Sequence, residues 1–319
     1  MKLYEEVKSA GSIGISGHIR PDGDCIGACM GLYLYLKKLC PDAVIEVFLE
    51  QPAEVFSCIK GMEEIHTDFK TEIPCFDVFF ALDASKDRLG EAEKYFDAAK
   101  KKINIDHHIS NQGCGDQNYI KPKASSASEL VYELIEKKEL LDEEIAKALY
   151  IGIIHDTGVF QYSNTAPSTL QAAAQLIQYG FDFPALIQET FYEKTYVQNQ
   201  ILGRALLESI LFMNGQCIVS MVDKKTMNFY QVVPSDLEGI VSQLRNTKGV
   251  ECAIFMYQIG PLEYKVSLRS GGKVDVAKVA AFFGGGGHIR AAGVTMQGTF
   301  YDIVNNLSAQ IAKQLEGEA

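Results

Sequence analysis

What most constrains this chain is a repeated arrangement in which a short apolar run closes on an aspartate or a histidine. Val78-Phe79-Phe80-Ala81-Leu82 closes on Asp83, and Lys101-Lys102-Ile103-Asn104-Ile105 closes on Asp106-His107-His108. Tyr150-Ile151-Gly152-Ile153-Ile154-His155 closes on Asp156, and Ser12 to Ser16 leads into His18-Ile19-Arg20-Pro21-Asp22-Gly23-Asp24. A run as apolar as Val78 to Leu82 reads as a strand buried on both faces, which is the environment of a parallel sheet covered by helices. In such sheets ligands gather beyond the carboxyl ends of the strands, where His18, Asp22, Asp24, Asp83, Asp106 and His107 all fall.

The rest of the chain supplies the matching helices. Leu3 to Ala10 reads as a short helix stopped by Gly11, and Cys25 to Leu39 as a longer one whose Gly27, Ala28 and Gly31 allow close packing on a sheet. Ala43 to Leu49 is a further strand, and Glu91 to Lys101 a helix leading into the Asp106 strand. Ser125-Ser126-Ala127-Ser128 opens a helix over Glu129 to Lys138. Asp142-Glu143-Glu144 loads the first turn of the next with negative charge, as the helix dipole favours. In that helix Ile145, Ala148, Leu149, Gly152, Ile153 and Asp156 share the inward face. Thr169 to Gln178 is a helix stopped by Gly180, and Pro184 begins a long helix running through Leu206.

Beyond it the pattern changes. Ile210 to Met213, Gln216 to Val222, Ala253 to Ile259 and Glu263 to Leu268 read as strands, with helices near Ser235 to Arg245 and Val274 to Phe283. The fold class is therefore α/β. A mainly parallel doubly wound sheet domain spans residues 1–183, a helical linker 184–209, and a smaller mixed α/β domain 210–319.

A formal net charge of -11 argues against capture of long duplex nucleic acid, which needs a broad basic surface. A small phosphorylated substrate needs only a few local cations. The eight cysteines include no CxxC pair and read as reduced thiols. Acidic Glu5 and Glu6 stand where a signal peptide carries positive charge, and no apolar run approaches the roughly 20 residues of a membrane span. The expected location is the cytoplasm, with no membrane association.

Carboxylates and imidazoles are donors for divalent metals. In His18-to-Asp24, Gly23 permits a turn that aims Asp22 and Asp24 at different targets; taken alone, the stretch would be a strand-to-helix turn with Asp24 as N-cap. Clustered with Asp83, His107 and Asp156, these groups would repel one another without a cation, and they exceed what one ion needs. Two ions sharing a bridging carboxylate account for the set. His155 lies about 100 degrees around the helix from Asp156 and reads as packed or supporting. Gly284 to Gly287 before His288 offers bare backbone to a phosphate or base, with Arg269 and Arg290 as cations.

These motifs, in this order and over nearly the whole chain, resemble the DHH phosphoesterase superfamily with its DHH-associated C-terminal domain. Length and two-domain layout are most similar to its bacterial nanoRNase and pAp phosphatase branch, the bifunctional oligoribonucleases. The resemblance implies His18, Asp22 and Asp83 as ligands of one manganese ion, and Asp24, Asp83, His107 and Asp156 as ligands of a second, with Asp83 bridging. It implies that His108 contacts the scissile phosphate and that Asp106 orients a ligand histidine. Arg269, Ser270, Gly286, His288 and Arg290 would hold the rest of the substrate. The implied reaction is two-metal activation of water, cleaving short RNA to mononucleotides and 3'-phosphoadenosine 5'-phosphate (pAp) to AMP, in a chain that self-associates as a homodimer. An alternative in the same two domains is hydrolysis of a cyclic dinucleotide such as c-di-AMP or its linear product pApA. A noncatalytic nucleotide sensor would lack metal ligands, and none is missing. Ala28 departs from the serine of many relatives but lies outside the ligand set.

Overall fold

The apolar runs become a five-stranded, all-parallel sheet in the computed structural model, which describes residues 1–317. Its strands are β1 (Ser12–Ser16), β2 (Val44–Phe48), β3 (Val78–Leu82), β4 (Lys102–Asp106) and β5 (Gln117–Ile120), in the order β2-β1-β3-β4-β5. Every residue of β3 is buried. Phe79 lies in an aromatic layer with Phe48, Phe76 and Phe96, while Phe80 and Leu82 face the opposite core. This order reverses direction between β1 and β3, and a crevice at such a switch point is where doubly wound sheets bind ligands.

Seven helices belong to this unit, which extends from Met1 to Glu193. They are α1 (Leu3–Val7), α2 (Gly23–Leu39), α3 (Glu93–Ala98), α4 (Ala127–Leu134), α5 (Glu143–Asp156), α6 (Pro167–Leu176) and α7 (Phe183–Ile187). The small residues of α2 serve a helix crossing rather than the sheet. A Cβ on Gly27 would stand 2.6 Å from the Ala148 carbonyl and 2.8 Å from the Gly152 nitrogen, and one on Gly31 would strike Leu149. Gly23 continues the same ridge, since a Cβ there would meet the His155 ring at 2.4 Å. It is needed for this close approach, not for a special turn. The N-cap of α2 is Asp22, not Asp24: its Oδ1 accepts from the Asp24 and Cys25 amides at 3.1 Å each.

The single helix expected from Pro184 is broken. Asp182 caps α7, a π turn spans Gln188–Tyr192, and Glu193 is extended. Thr195 then starts α8 (Tyr196–Leu207) through a reciprocal cap with Gln198. A new cap satisfies the amides of a new helix, so the chain gains nothing by continuing the old one.

From Lys194 onward a second unit carries a six-stranded mixed sheet. It comprises β6 (Ile210–Phe212), β7 (Cys217–Val222), β8 (Cys252–Gly260), β9 (Glu263–Ser270), β10 (Gly286–His288) and β11 (Ala291–Gln297), ordered β10-β11-β9-β8-β7-β6. Only β7 and β8 run parallel; the other neighbours are antiparallel. Helices α11 (Val276–Phe282) and α12 (Phe300–Leu315) share one core with the sheet. Helices α8 and α10 (Ile240–Arg245) cover the other face at β7 and β8, with α9 (Lys224–Tyr230) beside them. Residues 291–297, which resemble a helix start by their small size, form β11 instead, burying Ala292, Val294 and Met296 alternately. Among the described residues no helix is long and apolar enough to cross a membrane.

Candidate metal centre

The strand ends bring the expected groups together. His18 follows β1, Asp83 follows β3, and Asp106 ends β4 with His107 and His108 beyond it. The N-terminus of α2 supplies Asp22 and Asp24, and the last residue of α5 is Asp156. His18, Asp22 and Asp83 form one donor group, and Asp24, His107 and Asp156 another. Asp83 joins them: its Oδ2 is 3.4 Å from His18 Nε2, and its Oδ1 is 3.4 Å from His107 Nε2. His18 Nε2 lies 3.6 Å from Asp22, and His107 Nε2 lies 3.8 Å from Asp24 and 3.7 Å from Asp156. Donors bound at about 2.1 Å to one cation stand about 3.0–3.5 Å apart, so the two 3.4 Å separations at Asp83 suit neighbours around an ion, and all five are longer than ordinary hydrogen bonds. Asp83 Oδ1, which also lies 3.3 Å from His108 Nδ1, is buried and has no hydrogen-bond partner among the described residues, and the backbone of Asp83 is left-handed at φ 53°. A buried carboxylate oxygen with no hydrogen bond, on a strained residue, is costly unless a cation completes it.

The electrostatics agree. Burial pulls the His18 imidazole down, yet the Asp22 and Asp83 carboxylates outweigh it and raise its pKa to about 11. His107 is likewise raised to about 10 against its burial, by Asp83, Asp24 and Asp156. Burial, with Asp83 and Asp156 nearby, pushes the Asp24 carboxyl well above the usual range. Burial raises Asp156 to about 6. A divalent cation would reverse both trends, displacing imidazole protons and holding the carboxylates ionised.

Asp24 and Asp106 are held from behind. Asp24 accepts from the Ala127 and Ser128 amides, at 2.6 and 2.9 Å, at the start of α4. Asp106 serves His108 rather than a ligand imidazole: its Oδ1 accepts from His108 Nδ1 at 2.7 Å and from the His107 and His108 amides. Its Oδ2 accepts from Asn111, and although burial opposes ionisation, these hydrogen bonds hold Asp106 below its ordinary value. The Asp106 hydrogen bond raises the pKa of His108 in turn. His155 points away, against Phe56, Phe191 and Thr190, and burial lowers its pKa to about 4. The helical twist had separated it from Asp156, and it is packed.

In the second unit the register pairs Ala291 with both Arg269 and His288. Directly opposed residues share a face, so Arg269 and His288 flank Ala291 on one side of the sheet. The next row on that face is Ser267, Gly293 and Gly286. Arg290 is exposed in the turn between β10 and β11. Ser270 does not join them. Pleating turns it to the opposite face, where it is buried and donates to the Val274 carbonyl at 2.6 Å.

A model of the DHH family's N-terminal domain matches residues 12–153, and one of the DHHA1 domain matches residues 214–316. The chain is 30% identical, over 95% of its length and 90% of the relative's, to the bifunctional oligoribonuclease and PAP phosphatase NrnA of Thermus thermophilus. The chain belongs to the DHH family. The Bacillus subtilis protein described by the same words is 29% identical to this DHH protein over 92% of both chains. An exopolyphosphatase-related protein from Bacteroides fragilis shares its fold at a TM-score of 0.89 and 25% identity, covering 99% of this chain and 96% of the other. As a DHH-family member the protein is a phosphoesterase.

Sequence reasoning overlooked the residues that hold the donors, namely Asn111, the α4 amides and Asn164. Asn164 lies eight residues beyond Asp156 in an irregular loop, where no periodicity marks it.

Proposed function

We propose that this DHH phosphoesterase uses two manganese ions to hydrolyse short oligoribonucleotides to mononucleotides and pAp to AMP. The observation that carries the reading is Asp83, one buried carboxylate facing the His18 imidazole with one oxygen and the His107 imidazole with the other, each imidazole having its own further carboxylate partners. The likeness of nearly the whole chain to bifunctional oligoribonuclease and PAP phosphatases supports the substrate class. His18, Asp22 and Asp83 would hold one ion, and Asp24, Asp83, His107 and Asp156 the other. A donor set mixing imidazoles with a majority of carboxylates suits manganese better than softer metals. When bound, such ions polarise water and neutralise charge on the phosphate.

The protein's own groups do the rest. His108, whose pKa the hydrogen bond to Asp106 raises, meets the scissile phosphate and neutralises charge as it develops. Arg269, Gly286, His288 and Arg290 hold the remainder of the nucleotide, and the small residues between Arg269 and His288 leave its base room to lie against the sheet. A net charge of -11 restricts the substrate to short strands that local cations can hold. The protein works in the cytoplasm.

The test is chromatographic product analysis after incubating purified protein and manganese with pAp, a linear RNA dinucleotide, a 24-nucleotide RNA and c-di-AMP. The expected products are AMP and mononucleotides, with the long RNA and the cyclic compound nearly intact. Preferential loss of c-di-AMP, or no turnover, would overturn the assignment.

A further inference from the structure

Asn164 ties together two of the carboxylates in the candidate centre. Its side-chain amide donates to the Asp156 carboxylate at 3.1 Å, to the Asp156 carbonyl at 3.1 Å and to the Ser125 carbonyl at 2.9 Å. The first contact fixes the rotamer of Asp156. The last fixes the segment whose next residues, Ala127 and Ser128, give their amides to Asp24. Ser125 is anchored from its other side by the buried Glu129, which accepts from its amide and hydroxyl and from Thr169. None of these contacts reaches His18, Asp22 or Asp83.

The loop that presents Asn164 is itself held. Thr157 donates to the Ile153 carbonyl and accepts from the Phe160 amide, and its own carbonyl accepts from Gln161 and Tyr162. Val159 and Phe160 both adopt left-handed backbone, which a β-branched residue rarely does. The Asn164 carbonyl oxygen is buried and has no hydrogen-bond partner among the described residues. Only its NH2 group earns the residue its place, and that group points at Asp156 and Ser125.

We infer that Asn164 is a positioning residue for one of the two metal sites, the one built from Asp24, His107 and Asp156, and not for the site built from His18 and Asp22. This rests on the two-metal reading above. Supports of this kind behind metal ligands are typically worth about 10–100-fold in affinity. A structural role alone would instead lower folding stability and weaken both sites together.

The test is calorimetric titration of manganese into the full chain, as wild type, Asn164→Ala and Asn164→Leu, with thermal unfolding of each metal-free protein. Leucine keeps the shape of the amide and removes its donors. Both variants should lose about 10–100-fold in affinity at one site and keep the other, with melting close to wild type. A variant that binds both ions as tightly as wild type, or that weakens both equally, would refute the Asn164 assignment while leaving the metal pair standing. Wild-type protein taking up fewer than two ions would overturn the metal pair and the assignment together.

Discussion

Asp83 is the residue on which the site depends, since it faces His18 with one oxygen and His107 with the other. Asp83→Ala should lower activity by about 10³-fold or more and reduce metal content at both sites. A variant that retained two ions by elemental analysis would remove Asp83 from the bridging position. His155 makes a different prediction, because it is packed rather than ligating. Its folded pKa of about 4 lies below the ordinary 6.5, so the unfolded chain takes up a proton that the folded one refuses. The stability it contributes is fully present above about pH 6.5 and is lost as pH falls toward 4. In chelator, to remove the pH dependence of metal binding, His155→Phe should lose less of its urea midpoint between pH 7 and pH 5 than wild type does, the titration of the neighbouring carboxylates being common to both proteins. Equal losses would mean that other groups carry the acid sensitivity. The candidate donors were legible because they follow or close apolar runs. Their supports were not, because a backbone amide such as that of Ala127 leaves no mark in the sequence.

The crossing of α2 and α5 sets Asp24 and Asp156 at one place, and its closeness depends on Gly27 lying against Ala148 and Gly152. Gly27→Ala should cost about 1–3 kcal/mol in denaturant unfolding by overpacking, and should weaken metal binding as the helices part. Gly203 in α8 has nothing within 4 Å of an added Cβ, so Gly203→Ala should instead stabilise by about 0.5–1 kcal/mol. If both substitutions shift stability alike, the crossing is not as tight as its geometry implies. Which elements could be read beforehand follows from where their signal lies. β3 and α5 were legible because burial writes an apolar period into them. β5 was not, since Gln117 and Asn118 are exposed on a polar edge. α12 carries a capping box at Thr299 and Asp302 and buries Ile303, Leu307 and Ile311, a helical signal that was available and unused. The small-residue stretch after His288 suits both a helix start and a strand hairpin; the alternation of Ala292, Val294 and Met296 decides for the strand. On that hairpin His288→Ala should raise KM for pAp about tenfold or more, the worth of one charge-assisted hydrogen bond, with metal content unchanged. Wild-type KM would take His288 out of substrate binding.

On the two-metal proposal, metal and fold would be linked through the first unit alone. Asp24 and Asp83 are buried carboxylates, Asp156 is half-buried beside them with Asp22 at the rim, and desolvation already pushes the pKa of Asp24 and Asp156 upward. An ion that binds only the folded arrangement adds stability, about 2.7 kcal/mol at a hundredfold excess over its dissociation constant. Those donors join the ends of β1, β3 and β4 to α2 and α5, whereas among the described residues no potential ligand of either group lies beyond Asp156. Chelation should therefore loosen one unit and spare the other. Amide hydrogen exchange on the full chain reads this directly: with manganese removed, protection should fall in β1, β3, β4, α2 and α5 and stay constant in β7, β8, β9 and β11. Restoring manganese should return the lost protection, with a concentration dependence that matches the calorimetric affinity. Loss spread evenly over both sheets would show instead that the two units unfold as one, and that metal binding stabilises the chain as a single cooperative body.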